Sequence, residues 1–158
     1  MTLLAETLTS FAALEEALLG ELTRIEKERE FLRRLDTVHL LESTLEGTRF
    51  NERLHELLQK AQAALGALCT EAGAEAPNAE ALARVAPEPG ASVQAAVDAA
   101  KLAGGRLQHA QDFNREVTTR ALALVRSLEQ RLPANGAAYG RHGVALSPGR
   151  AVTTSRRA

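Results

Sequence analysis

Residues 3–34 read LLAETLTSFAALEEALLGELTRIEKEREFLRR, a stretch in which apolar side chains follow a heptad rhythm. The residues that recur every seven positions are Leu4, Phe11, Leu18, Ile25 and Leu32, and Leu8 and Leu22 follow the first and third of them by four positions. Side chains at this spacing fall on one face of an α-helix, whereas a strand needs alternation at every second residue. Leu3 and Leu19 widen the stripe, which favours a helical bundle over a strict two-stranded coiled coil.

The composition of the 158-residue chain also favours helices. Ala, Leu, Glu and Arg dominate, Trp is absent, and the aromatic residues are four Phe and one Tyr, a mixture that suits strands poorly. We therefore predict an all-α fold, in which three long helices and one short helix form an elongated, up-and-down antiparallel bundle. The predicted domain covers residues 1–132, and a flexible basic C-terminal tail covers residues 133–158.

Three further helices are predicted after the first. The second runs from about Val38 to Glu71, a short third helix lies in NAEALARV at residues 78–85, and the fourth runs from near Ser92 to near Leu132. Asp36 or Thr37 can accept hydrogen bonds from the first-turn amides of the second helix, which indicates a hairpin. One continuous helix through Asp36 is the alternative.

Apolar stripes are predicted on both later long helices. The second helix carries Leu41, Leu45, Leu54, Leu58, Ala61, Leu65 and Leu68, and the fourth carries Val93, Val97, Ala100, Leu107, Ala110, Val117, Ala121, Leu124, Leu128 and Leu132. Gly47 interrupts the first of these stripes and predicts a bend or a packing notch. The pair Gly104–Gly105 predicts close approach of a neighbouring helix.

The charge is unevenly distributed along the chain, although the net charge is only −1. Residues 1–132 carry 15 basic and 20 acidic side chains, a net charge of −5, whereas residues 133–158 carry four arginines and no acid, a net charge of +4. This balance gives no support for nucleic-acid binding by the molecule as a whole. The single Cys69 excludes an internal disulfide and indicates a reducing compartment.

The sequence predicts a cytoplasmic, soluble protein without membrane insertion. Residues 1–10 lack the basic segment of a signal peptide, and no uninterrupted apolar stretch reaches the length of a membrane helix.

Residue patterns that would carry chemistry are weak. The histidines are His39, His55, His109 and His142, and the HELLQ sequence at His55 lacks the second histidine of the zinc-protease motif. Cys69 is interpreted as a small packing residue, because no histidine neighbours it in sequence. We therefore predict no catalytic residue, no metal site and no cofactor, and we expect a protein that is not an enzyme.

The order of features resembles the FlgN-type flagellar export chaperones. In that family an acidic and arginine-rich run closes the first helix before a short junction, as in IEKEREFLRRLDTVHLL at residues 25–41 here. A second helix, a proline-containing break and a long final helix follow. The tail then contains a Tyr, glycines and small and basic residues, as in NGAAYGRHGVALSPGRAV at residues 135–152. A basic residue in the middle of the family's second helix is matched only loosely, by Arg49 or Arg53.

The resemblance implies a small cytoplasmic chaperone without catalysis. Such chaperones bind the C-terminal helical segment of hook-associated flagellar proteins, the proteins of the hook–filament junction, prevent their premature assembly and deliver them to the membrane-bound export gate. By this resemblance, client binding falls on Leu124, Leu128 and Leu132 at the end of the last helix and on Val144 and Leu146 in the tail. Docking at the gate falls on Tyr139. The expected state of the chaperone is a monomer or a weak homodimer.

Two other functions are compatible with the residues. The chain would be a structural or oligomerising coiled-coil protein if its apolar stripes were used only between its own helices or copies. It would be a chaperone or adaptor of another secretion system if the fold were shared but the tail were not required.

Overall fold

The structure is a computed structural model that describes residues 2–131. Within this range the chain forms four α-helices and no strand: α1 (Leu3–Arg34), α2 (Thr37–Ala72), α3 (Ala79–Val85) and α4 (Pro87–Arg131). The predicted all-α fold with three long helices and one short helix is confirmed. The predicted boundary between domain and tail, at residues 132 and 133, lies outside the described range.

Two compact units divide the chain, Met1–Glu116 and Val117–Ala158. The first contains α1, α2, α3 and the greater part of α4, and it holds the hydrophobic core. The second is described only for residues 117–131, the last four turns of α4. Each surface described below lies within one of these two units.

Helices α1 and α2 form an antiparallel hairpin. Leu35 ends α1 in the left-handed conformation, with φ 54°, and the Asp36 carboxylate accepts a hydrogen bond from the His39 backbone N–H at 3.2 Å. Further along the pair, the buried Thr7 hydroxyl lies 3.1 Å from the Ala64 carbonyl oxygen and can donate to it. The start of α1 therefore lies against the end of α2, and the predicted hairpin is confirmed.

Within the first unit, α4 contacts α1. The buried Asn114 side chain donates to the Ile25 carbonyl oxygen at 2.9 Å and accepts from Arg29 Nε at 3.2 Å. The Arg29 guanidinium also stacks on the Phe113 ring, 4.3 Å from its centroid. The Ile25 carbonyl oxygen has two lone pairs, so it can accept from Asn114 and still accept the backbone hydrogen bond of α1. Asn114 therefore fixes the position of α4 along α1 without disrupting α1.

The core confirms the stripe predicted for the first helix, apart from Leu19, which is exposed, and corrects the one predicted for the second. Buried apolar residues on the helices are Phe11, Leu14, Leu18 and Ile25 of α1, Ala61, Ala64, Leu65, Leu68 and Cys69 of α2, Ala79, Ala81 and Leu82 of α3, and Val93, Ala100, Ala103, Leu107 and Ala110 of α4. Leu41 and Leu45 were predicted to face inward but are exposed. The first half of α2 instead turns Ser43 and Gly47 toward α1.

A buried polar network explains that change of face. Arg24 of α1 donates to both Glu21 carboxylate oxygens, at 2.8 and 2.6 Å, to Glu28 at 2.9 Å and to the Ser43 carbonyl oxygen at 2.7 Å. The Ser43 hydroxyl donates to Glu28 at 2.9 Å. We call Glu21, Arg24, Glu28 and Ser43 the Arg24 network. The hydrogen bond to Glu21 is the main cause that raises the pKa of the Arg24 guanidinium.

The role predicted for Gly47 is confirmed, and the role predicted for Gly104 and Gly105 is wrong. A Cβ on Gly47 would lie 3.0 Å from an Arg24 terminal nitrogen, so Gly47 forms the predicted packing notch and α2 continues through it. Gly104 and Gly105 do not serve close approach, because nothing lies within 4 Å of a Cβ built on either.

The fourth helix begins at Pro87, five residues before the predicted start. Pro87 and Pro89 fit the first turn because the first amides of a helix have no intrahelical partner, so a missing N–H costs nothing there. The Gly90 N–H closes the first turn by donating to Ala86 O at 2.9 Å. A Cβ on Gly90 would lie 2.3 Å from Ala83 Cα, so glycine is required where α4 crosses α3.

Asp36 makes the stability of the hairpin depend on pH. Its pKa is lowered first by the hydrogen bond from the His39 backbone N–H and then by the His39 side chain. A depressed carboxyl pKa stabilises the folded state above the ordinary carboxyl range and loses that stabilisation as the pH falls through the folded-state value. Asp36→Asn keeps a capping oxygen without the charge. We expect a higher melting temperature for wild type than for Asp36→Asn at neutral pH, and we expect this difference to disappear as the pH falls below the ordinary range of an Asp carboxyl. A difference independent of pH, in melts followed by circular dichroism, would contradict this role.

Candidate protein-binding surface

The end of α4 carries an exposed apolar stripe in the second unit. Ala121, Leu124 and Leu128 follow the spacing of a coiled-coil seam, at intervals of three and four residues. Leu124 is 61% exposed and Leu128 is 52% exposed, and Leu122 and Val125 beside them are also half exposed. We call these five residues the α4 stripe. A helix that buries its apolar face along its first half and exposes it along its last turns leaves surface for a partner.

The remaining residues predicted for client and gate binding are not placed. Leu132, Val144 and Leu146, predicted for client binding, and Tyr139, predicted for docking at the gate, lie outside the described residues. Of the predicted client-binding set, the structure therefore places Leu124 and Leu128, and it brings these two onto the same helical face. Arg49 and Arg53, the loose matches in the second helix, are both exposed.

An apolar groove lies in the first unit. It has a volume of about 620 Å³ and runs between α1, α2 and α4, with Asn78, Ala79 and Glu80 at one end. Its walls include Phe11, Leu14 and Leu18 of α1, Leu54, Leu58, Ala61 and Leu65 of α2, and Val97, Ala100 and Gly104 of α4. The groove is open partly because Ala61 of α2 and Ala100 and Gly104 of α4 have small side chains or none. Larger side chains at these positions would fill the space between the helices. The glycine predicted for close packing is thus part of a groove wall.

Two histidines of α2, His39 and His55, have partners close by in the fold. His39 packs on Phe31, with ring centroids 5.0 Å apart, and its Nδ1 lies 2.7 Å from Asp36. His55 Nε2 lies 2.9 Å from the amide of Gln59, one turn further along α2. Within residues 2–131 no group of three or more His, Cys, Asp or Glu side chains is arranged to hold a metal ion. His142 lies outside this range.

Cys69 lies in the core and contacts the connection that follows α2. It is 2% exposed, and its Sγ lies 3.6 Å from the Asn78 carbonyl oxygen. Burial raises the pKa of the thiol, which keeps it protonated and lowers its nucleophilicity. The packing role predicted for Cys69 is thus confirmed.

Sequence reasoning missed one feature in each of the two units. Leu122 and Val125 were not singled out, although they lie next to Leu124 and complete a wide apolar face. The groove was also missed, because a stripe read along one helix does not show how far apart three helices stand. The signal that was present is the run of small residues in the first half of α4.

Two negative findings complete the description of the chain. The helices formed by residues 2–131 contain none with an apolar run sufficient to cross a bilayer. Comparison of the chain with protein-family models, with characterised proteins and with solved structures finds no match.

Proposed function

We propose that the protein is a non-enzymatic, cytoplasmic chaperone of flagellar type III export that binds the C-terminal helical segment of hook-associated proteins. The observation that carries the proposal is the α4 stripe, where Leu124 and Leu128 are more than half exposed on one helical face. The resemblance of the chain to FlgN-type chaperones supplies the client class and the delivery to the export gate.

The α4 stripe is chemically suited to hold an amphipathic helix. Three leucines and a valine within seven residues can cover the apolar face of a client helix, which is the face that would otherwise drive its assembly. Leu132, Val144 and Leu146 extend this apolar sequence into the region beyond α4. If those residues order only on the client, the entropy of ordering lowers the net affinity and makes release at the gate easier.

Substitution of Leu128 tests client binding directly. We expect Leu128→Asp to weaken retention of a hook-associated C-terminal peptide at least about tenfold, because a carboxylate would be buried against the client's apolar face. Leu128 is half exposed, so the circular dichroism and melting temperature of the variant should match wild type. Val85→Asp, which places the same charge at an exposed valine of α3, is the matched control and should bind normally.

The companion variant Tyr139→Ala separates binding from delivery. It should retain the client peptide in the same assay and lower secretion of the client from cells. If neither wild type nor the variants retain any hook-associated segment, the flagellar proposal fails. Retention of a client from another secretion system would then favour an adaptor of that system.

A further inference from the structure

A second exposed apolar stripe lies on α2 of the first unit, on the face opposite α1. It consists of Val38, Leu41 and Leu45, which are 65%, 64% and 56% exposed, and we call it the α2 stripe. At about 100° per residue the three side chains fall within an arc of roughly 60°. Ser43 and Gly47, which pack toward α1, lie on the other side of the helix. No contact inside the hairpin explains why three aliphatic residues should share this outer face.

The α2 stripe matches the α4 stripe in spacing. Val38, Leu41 and Leu45 are separated by three and four residues, as are Ala121, Leu124 and Leu128. Two helices with this repeat can interlock their side chains as knobs and holes. Both stripes extend over about 10 Å of helix, since each spans seven residue steps. The two surfaces therefore have the dimensions of one short helix–helix contact.

The charged residues near the two stripes favour pairing of the α2 stripe with the α4 stripe. Residues 37–49 carry Glu42, Glu46 and Arg49, a net charge of −1, whereas residues 117–131 carry three arginines and one glutamate, a net charge of +2. The same contrast extends over the chain, because residues 1–116 have 12 basic and 19 acidic side chains and residues 117–158 have seven basic and one acidic. Pairing of α2 with α2, or of α4 with α4, would set like charges together, and pairing of α2 with α4 sets opposite charges together.

We propose that the chain self-associates, with the α4 stripe of one copy packed on the α2 stripe of a second copy. Glu42 flanks the α2 stripe and Arg120 flanks the α4 stripe, so both apolar seams are bordered by complementary charge. The inference shares the α4 stripe with the proposed client site and adds the α2 stripe, which client binding does not require. Leu41→Asp therefore tests self-association without changing the proposed client site.

The test is the concentration dependence of molar mass, measured by light scattering on the full chain at low ionic strength. Wild type should rise above the mass of one chain with increasing concentration. Leu41→Asp should weaken association at least about tenfold, because it places a carboxylate inside the apolar seam. Val85→Asp is the control for an exposed apolar residue replaced by Asp, and it should associate as wild type does.

Charge reversal gives a second, independent readout. Arg120→Glu should weaken association several-fold, and the pair Glu42→Arg with Arg120→Glu in one chain should restore most of it. Arg126→Glu changes the net charge equally but lies on the side of α4 opposite the line of Ala121, Leu124 and Leu128 that pairs with α2, so it should have little effect. Circular dichroism of each variant checks that the helices are intact.

The proposal is overturned if wild type keeps the mass of one chain at all concentrations, or if Leu41→Asp associates like wild type. It is also overturned if Arg120→Glu and Arg126→Glu act equally, because association would then follow net charge alone. If Leu41→Asp loses binding of the client peptide, the α2 stripe is a client-binding surface instead. That result would also overturn the proposal.

Discussion

Arg24→Ala should lower the free energy of unfolding by about 3 kcal/mol, an effect typical of breaking a buried ion pair from one side. The Glu21 side chain is 4% exposed and would keep its negative charge without the guanidinium that now donates to both of its oxygens. The Ser43 carbonyl oxygen would also lose the donor that ties α2 to α1. Urea unfolding followed by circular dichroism measures the change.

Two further variants identify the buried charge as the cause. Arg33→Ala removes an arginine from an exposed pair with Glu30, whose side chains are 65% and 51% exposed, and it should cost less than about 1 kcal/mol. Glu21→Gln combined with Arg24→Ala should recover part of the loss, because a neutral amide is less costly to bury than a carboxylate. If the double variant is less stable than Arg24→Ala alone, the unpaired charge of Glu21 is not what destabilises the protein.

The Arg24 network also shows where prediction from sequence reached its limit. The heptad stripe of α1 predicted its buried face well, since Phe11, Leu18 and Ile25 are all in the core. The same reasoning placed Leu41 and Leu45 inside. It failed because a serine carbonyl and a glycine accommodate Arg24 at that point, and two leucines could not. A pattern of apolar residues cannot show that a polar side chain has taken the buried position.

Helix ends were predictable to the extent that side-chain chemistry marks them. Asp36 and Asn78 cap α2 and α3 as their residue types indicate, and the Asn78 amide oxygen accepts from the Ala81 N–H at 2.8 Å. The predicted start of the fourth helix near Ser92 leaves Pro87 and Pro89 outside the helix, although proline is also suited to the first turn of a helix. Whether the prolines end one helix or begin the next depends on the contact of Gly90 with Ala83. A pattern of residue types does not show that contact.

The candidate binding surface was predictable only along one helix. Leu124 and Leu128 were singled out by the resemblance to the export chaperones, and the structure shows both side chains more than half exposed. The α2 stripe was not predictable as a surface, because the same leucines fit a core equally well on periodicity alone. Only the packing of α2 against α1 separates those two interpretations.

Leu82→Ala should lower the free energy of unfolding by about 3 kcal/mol, because it leaves a cavity at a completely buried position of α3. Helix α3 has only seven residues and would not persist alone, so its position depends on this side chain. The matched control is Val85→Ala in the same helix. Val85 is 47% exposed, and its truncation should cost less than about 0.5 kcal/mol.

The α3 variants also test whether the short helix stabilises the groove end of the bundle. Ala79 and Glu80 of α3 line the groove, and Asn78, which caps α3, contacts Cys69 of α2 through its carbonyl oxygen. Displacement of α3 in Leu82→Ala should therefore expose the Cys69 thiol, and its reaction with a thiol reagent should become faster than in wild type or Val85→Ala. Loss of stability without faster thiol reaction would mean that α3 stays in place and the cost comes from the cavity alone. Equal stability of the two variants would show that Leu82 does not anchor α3, because burial is what distinguishes these two positions.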